Sequence, residues 1–413
     1  MLYVLATIQL EKKTSSNGLE KRPKLRFPGF DEPWKAALLS DYFVKNIKKN
    51  ADGAITNVIC NSAKQGLIPQ RNYFDKDIAN SDNTDGYYII ETNDFVYNPR
   101  KSTDAPYGPI SCYKYPEAGI VSPLYLCFRA KQEINPLYFE WCFRSSVWHR
   151  YIYMSGDSGA RHDRVSIKDD TFFAMPINIP SAKEQDRIAL FLNAIEQRID
   201  KQRSLVEALK KYKRGLHKLV FIKNRKPSWE KSALHDIASF CGGGTPSKDV
   251  SSYWDGEIGW ISSSDIQEEW IDDISVTRRI TKKAIDNSAT KLCPEGTIAI
   301  VSRVGVGKVA IIPESLCTSQ DFTNITSITG NTHYMAYQIA FRMKLEAMKT
   351  QGTSIKGVTA DTIKSMGVDI PPLEEQKKIA DMLTAFDSYI KRAVYELDIF
   401  LTMKKALLQQ LFI

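Results

Sequence analysis

Histidine is scarce in these 413 residues, and cysteine never pairs at short range. The five histidines (His149, His162, His217, His235, His333) stand far apart, without the spacing of a metal-ligand set. The seven cysteines include no Cys-x-x-Cys and are odd in number, which reads as reduced, partly buried core thiols and not as a disulfide framework. No run of 18 apolar residues occurs, so a membrane-spanning helix is not expected. Met1–Leu10 is apolar but has no basic stretch before it and no small-residue cleavage site after it. Residues 1–20 are therefore expected to be a peripheral segment of a cytoplasmic protein.

The common catalytic signatures are missing too. Ser302-Arg303-Val304-Gly305-Val306-Gly307-Lys308-Val309 approaches a phosphate loop but has Ser302 in place of its first glycine and Val309 in place of the Mg²⁺-binding Ser or Thr. Apolar runs on both sides make it a β-hairpin turn instead. Asn135-Pro136-Leu137-Tyr138 lacks the second proline of the Asn-Pro-Pro-Tyr of amino-methyltransferases, and no glycine-rich cofactor loop precedes it, so it reads as a helix start. No Gly-x-Ser-x-Gly occurs, nor paired carboxylates followed by Glu-x-Lys at strand positions. The chain is expected to catalyse nothing by itself.

What is present is a repeat. Composition is that of a folded protein, 43% apolar and 25% charged, and the length calls for two or three domains. At a constant offset of 191, Ile179-Pro180, Glu184, Gln185, Ile188 and Ala189 recur as Ile370-Pro371, Glu375, Gln376, Ile379 and Ala380. Asp170-Thr171 and Met175 recur as Asp361-Thr362 and Met366. Trp34, Leu39 and Asp41 recur at an offset of 195 as Trp229, Leu234 and Asp236. Between these anchors each half runs in the same order. A β-rich run (94–99; 296–303) leads to a helix (135–146; 331–349), a Gly/Ser/basic loop (158–164; 352–356) and the shared helix.

Both shared helices carry an apolar stripe at alternating spacings of four and three, the pattern of a coiled-coil seam. In the first it is Ile188, Leu192, Ile195, Ile199, Val206, Leu209, Leu216 and Val220, broken at Gln202 and Lys213. In the second it is Ile379, Leu383, Phe386, Ile390, Leu397, Phe400, Leu407 and Leu411, with Ala393 and Lys404 at the same two places. Ser181 is a fitting N-cap, with Glu184 placed to close a capping box. Equal registers and equal breaks favour the helices pairing with each other; if they pair antiparallel, a globular region sits at each end of the rod. Each stripe packing on its own globular region is the alternative.

With these features the chain resembles the DNA specificity subunit of Type I restriction-modification systems over roughly residues 21–413. The resemblance rests on Pro23-Lys24-Leu25-Arg26-Phe27-Pro28-Gly29-Phe30 before Trp34, and on Gly242-Gly243-Gly244-Thr245-Pro246-Ser247 before Tyr253-Trp254 and Gly259-Trp260-Ile261-Ser262-Ser263. The doubled Ile-Pro…Glu-Gln…Ile-Ala helix openings are its third mark. It implies an α+β fold with two mixed α/β target-recognition domains, 21–178 and 226–369, and spacer helices 179–225 and 370–413 that pair as an antiparallel coiled coil with an internal pseudo-two-fold repeat. Each domain would read half of a split DNA target. The helices would dock methyltransferase subunits, two of them, and restriction/translocase subunits. S-adenosylmethionine, ATP and Mg would belong to those partners and not to this chain. Two-fold-related domains suit half-sites about 10 bp apart, and their poor mutual identity between Trp34 and Asp170 predicts an asymmetric target.

Groove edges are read by Arg, Lys, Asn, Gln, Ser and Thr, and phosphates mainly by Lys and Arg. The candidates in the first domain are Arg71, Arg100, Lys101, Arg161, His162 and Arg164. Those in the second are Thr245, Ser247, Lys248, Ser262, Ser263, Arg303, Lys308, Ser354 and Lys356. Trp34, Trp229, Trp254 and Trp260 are expected in the core. The net charge of +8 sits mostly on the first helix, where residues 181–225 hold twelve basic and five acidic side chains. That face suits spacer phosphates or an acidic partner surface. A non-DNA scaffold and a self-sufficient nuclease or methylase are the competing function classes. Salt-dependent DNA binding separates off the scaffold, and activity of the purified chain would support the enzyme.

Overall fold

The computed structural model describes residues 11–12, 22–72, 84–158, 163–350 and 357–413. It resolves into two compact units, one reaching to Gln202 and rejoined by Glu396–Ile413, the other Arg203–Tyr395. The central helix is Ala182–Lys218, extended by a π turn at Leu219–Lys223, and the C-terminal helix is Leu373–Gln410. Among the described residues, no helix is long and apolar enough to cross a membrane.

In the first unit a four-stranded antiparallel sheet has the order Phe43–Lys45, Leu126–Ala130, Phe95–Tyr97, Ile110–Cys112. Helix Pro136–Arg144 covers it, and the core between them is aromatic. Phe43 alone meets Phe139, Phe128 and Phe95 at ring distances of 5.0, 5.3 and 5.4 Å. In the second unit the same order recurs as Ala238–Gly242, Phe322–Ile328, Ile298–Val301, Val309–Ile311, again all antiparallel. Its core is mainly aliphatic, from Ile298, Ile300, Val309 and Ile325 to Met335, Ile339 and Met343 of helix Thr332–Thr350. This unit adds a second four-stranded sheet, Arg278–Ile280, Trp254–Ile261, Leu316–Thr318, Leu292–Cys293. The first unit has two short strand pairs instead, Ile59–Ser62 with Gly66–Pro69 and Tyr88–Ile90 with Gly119–Val121.

The repeated residues make repeated bonds. Strand Lys35–Leu38 pairs with Pro176–Ile179 so that Lys35 faces Ile179, and strand Glu230–Ala233 pairs with Gly367–Ile370 so that Glu230 faces Ile370. Leu39 donates its N–H to the Met175 carbonyl at 2.9 Å, and Leu234 to that of Met366 at 3.1 Å. Asn135 and Asn331 each cap a helix, accepting from Tyr138 and Tyr334 N–H at 2.9 Å. Gln185 Nε2 donates to the Pro180 carbonyl and Gln376 Nε2 to that of Pro371, at 3.0 and 2.8 Å, which closes the entry to each long helix.

Every seam position is buried or half-buried. In the first unit Glu196 meets Lys404 at 2.8 Å and Gln202 meets Glu396 at 3.3 Å, so the helices run antiparallel. In the second, Lys213 meets Asp387 at 2.6 Å, while Lys226, just past the helix, meets Glu375 at 2.6 Å, giving the same direction. Glu196 and Asp387 are equivalent at the 191-residue offset, and so are Lys213 and Lys404. One ion pair is thus made twice, once in each unit. The alternative also holds in part, because the opening turns (Ile188–Ile199; Ile379–Leu383) belong to the core of their own unit.

One local expectation is corrected. Ser181 does receive the Glu184 N–H, at 3.4 Å, but the Glu184 side chain does not turn back to close a box. It is buried in a bidentate pair with Arg26, at 2.8 and 2.9 Å, while Phe27 packs on Phe191. The Leu-Arg-Phe-Pro-Gly stretch is therefore a latch on the first turns of the central helix. A buried carboxylate is held far more firmly by a guanidinium than by one backbone N–H.

Candidate nucleic-acid interface

In the first unit the end of strand Phe95–Tyr97 continues into Pro99-Arg100-Lys101. There Val165 donates to the Pro99 carbonyl at 2.9 Å and Lys101 to that of Asp163 at 2.8 Å, with Arg100 bridged to Arg164. The basic loop's return limb is thereby fixed beside a cleft of about 610 Å³ that gathers Arg100, Lys101 and Arg164 with Lys64, Asn61 and Asn98. Arg100 and Lys64 make only long, exposed ion pairs, with Asp163 at 3.8 Å and Asp104 at 3.5 Å, so little holds them from a phosphate. The Lys101 ammonium has no partner among the described residues, and the Arg164 Nε is buried without one. Arg71 is exposed on the turn Gln70–Asn72 and does not line this cleft. Arg161 and His162 lie outside the described residues, as do Ser354 and Lys356.

The second unit builds the same edge from different side chains. Ser302–Lys308 is the expected hairpin turn, with Ile300 opposite Val309. Gly305 and Gly307 take φ of +85° and +104°, conformations that side chains resist. Val358 donates to the Ser302 carbonyl at 2.8 Å, as Val165 does to Pro99, so the loop return again rests on the end of the third strand. Lys308 Nζ donates to the Ser263 carbonyl at 2.9 Å, which brings Lys308 to the Ser262-Ser263 turn, and Arg303 is exposed on the same hairpin as Lys308. The Ser262 hydroxyl is engaged with Asp265 and Arg278. Burial alone would raise the Asp265 carboxyl, but hydrogen bonds from Ser262, Thr277 and Arg278 outweigh it and hold the group below the ordinary carboxylate range.

Thr245 is bonded to Gln320, and Ser247 and Lys248 are exposed beside it. Gly243 and Gly244 precede them because a Cβ there would sit 1.9 Å from the Ser319 carbonyl oxygen or 2.4 Å from the Ala289 backbone. The tryptophans do mainly structural work. Trp34, Trp229 and Trp260 are buried, while Trp254 is half-buried, its Nε1 donating to the Ser247 carbonyl. All seven cysteines are free, and burial pushes the Cys112, Cys127, Cys142 and Cys293 thiols up to about 12.

Sequence reasoning missed Lys64, Asn61 and Asn98 in the first cleft, and Arg278, which stacks over Trp260 at 4.6 Å. Lys64 had a local signal, since it sits in a two-strand turn before Gly66 at φ +71°. Arg278 had none.

Residues 227–396 match the Type I restriction modification DNA specificity domain. Over 167 residues the chain is 34% identical to the MjaIX type I restriction enzyme specificity subunit of Methanocaldococcus jannaschii, a stretch covering 40% of this chain and 39% of that protein. It is 29% identical over 228 residues to the EcoR124I/EcoR124II specificity subunit of Escherichia coli, covering 51% and 55%. The chain thus spans from two fifths to little over half of these relatives' length. A solved chain from work on complex assembly and conformational transition of the type I R-M system shares the fold, with a TM-score of 0.61, 16% identity and coverage of 93% and 98%. So does the type-I restriction-modification S subunit from M. genitalium, with a TM-score of 0.54, 12% identity and coverage of 95% and 99%. Residues 227–396 thus carry the Type I restriction modification DNA specificity domain, and the chain as a whole is similar to Type I restriction enzyme specificity subunits.

Proposed function

We propose that the chain is the DNA-reading subunit of such a system, binding a split, asymmetric sequence with one recognition domain per half-site and performing no chemistry alone. The observation that carries this reading is the edge built twice. An identical backbone scheme, loop return on strand end, presents Arg100, Lys101 and Arg164 in one unit and Ser262, Arg303 and Lys308 in the other. Two copies of one framework with different polar side chains suit two different half-sites. Methyltransferase subunits, two of them, and restriction/translocase subunits dock on the long helices, and they carry S-adenosylmethionine, ATP and Mg. The setting is the cytoplasm. The test is co-expression with the methyltransferase subunits followed by sequencing of methylated positions. A gapped, non-palindromic target is expected, and a continuous palindrome would overturn the reading.

A further inference from the structure

The second unit holds a groove of about 450 Å³ that shares no residue with the polar edge. Its wall is one face of the central helix, where Lys210, Arg214 and Lys218 follow at intervals of four. Like charges at that spacing disfavour a helix, so the run is not there for folding. Lys344 comes in from helix Thr332–Thr350 as a further cation. Glu269 takes Lys210 at 2.7 Å, which leaves Arg214, Lys218 and Lys344 without a carboxylate among the described residues. Lys213, Glu268 and Trp270 also line the groove, and its apolar part is Phe341, Leu345, Met348 and Ile390, with Met348 68% exposed at the rim. The His217 ring also lines the groove, and its Nε2 is buried with no partner.

We propose that this groove binds a small organic phosphate of nucleotide size, its phosphate on Arg214, Lys218 and Lys344 and its apolar body on Phe341, Leu345 and Met348. The volume falls in the range of small-ligand sites, about 300–1,000 Å³. A concave, apolar-floored cavity does not fit the convex backbone of a duplex, whereas converging cations over an apolar floor match an anion with an uncharged body. His217 stays neutral at pH 7, because burial and the nearby Lys213 and Lys344 lower it to about 3. It therefore offers the ligand a hydrogen bond and not a fourth charge. This site is independent of the DNA reading, and either can fail without the other.

The test is calorimetry on the full chain with the four nucleoside monophosphates in the millimolar range, alongside adenosine and inorganic phosphate separately. At least one nucleotide should bind, and more tightly than either of its parts. R214Q/K344Q, two changes at exposed positions, should weaken it about tenfold or more. Equal binding of phosphate and nucleotide overturns the apolar half of the proposal. No nucleotide binding, or binding unaffected by R214Q/K344Q, overturns all of it, as does loss of non-specific duplex binding in R214Q/K344Q with no nucleotide response.

Discussion

The doubled ion pair of the long helices allows the cost of burial to be measured against an internal control. Lys213 and Asp387 have side chains only 14% and 3% exposed, whereas Lys404 and Glu196 keep 23% and 25%. Desolvation raises the Asp387 carboxyl above, and lowers the Lys213 ammonium below, its ordinary range, so neither charge is fully repaid by the other. In Lys213→Met, Asp387 keeps the Tyr337 hydroxyl at 3.0 Å and no cation. An uncompensated buried charge costs about 3–5 kcal/mol. Protonation sets a ceiling, since neutralising a carboxyl of ordinary value 3.8 at pH 7 costs about 4 kcal/mol. We therefore expect Lys213→Met to lose about 3–4 kcal/mol. Lys404→Met should lose about 1 kcal/mol or less, because its half-buried pair is better solvated and Glu196 keeps Arg144 at 3.9 Å. K213M/D387L should return to within about 1 kcal/mol of the parent, because removing both charges removes the desolvation cost.

The assay is hydrogen exchange of the Tyr334–Phe341 amides, which reports the second unit directly, supported by urea unfolding. The sign with pH follows from the raised carboxyl. Its charged form is the disfavoured one, so stability is present at low pH and lost as pH rises through its folded value. The deficit of Lys213→Met should therefore shrink from pH 7 towards pH 5. If Lys213→Met costs no more than Lys404→Met, or if the double variant loses the sum of the singles, the burial argument is wrong.

Other outcomes can be checked separately. His217 titrates well below its ordinary 6.5. Its stability contribution is thus present above pH 6.5 and lost as pH falls towards 3, by up to about 1.4 kcal/mol per pH unit. Acid titration of His217→Phe beside the parent should show that slope missing. Asn135→Ala and Asn331→Ala should each cost about 1 kcal/mol in denaturant titrations, since each removes the same cap in its own unit. Arg303→Ala and R100A/K101A should weaken binding to the methylated target and lower the salt slope by roughly one for each phosphate no longer engaged. Fluorescence anisotropy across a salt series would show neither change if these side chains are only solvated.

The sequence reveals the framework because framework residues act on backbone at fixed places. Gln185 and Gln376 close a helix entry and Asn135 and Asn331 cap a helix, each through its side-chain amide, and each such bond demands a particular residue type at its place. The cores between them make no such demand. The same sheet order is filled with phenylalanines packed mostly edge to face in one unit and with isoleucine, valine and methionine in the other, because packing needs volume and apolar surface more than identity. That explains why the halves lose resemblance between Trp34 and Asp170 while keeping one topology. The polar edges were legible only by residue type. Arg26 with Glu184, 158 residues apart, and Lys308 with the Ser263 carbonyl, 45 apart, are joined by folding alone, so no local pattern announces them. The basic helix shows the same limit. Its charge could be counted from the sequence, but its division could not. Lys210 and Lys213 are spent on Glu269 and Asp387, and Arg214 and Lys218 are left open in a groove. A ligand or partner of that face should therefore depend on Arg214 and Lys218 far more than on the two lysines a turn earlier.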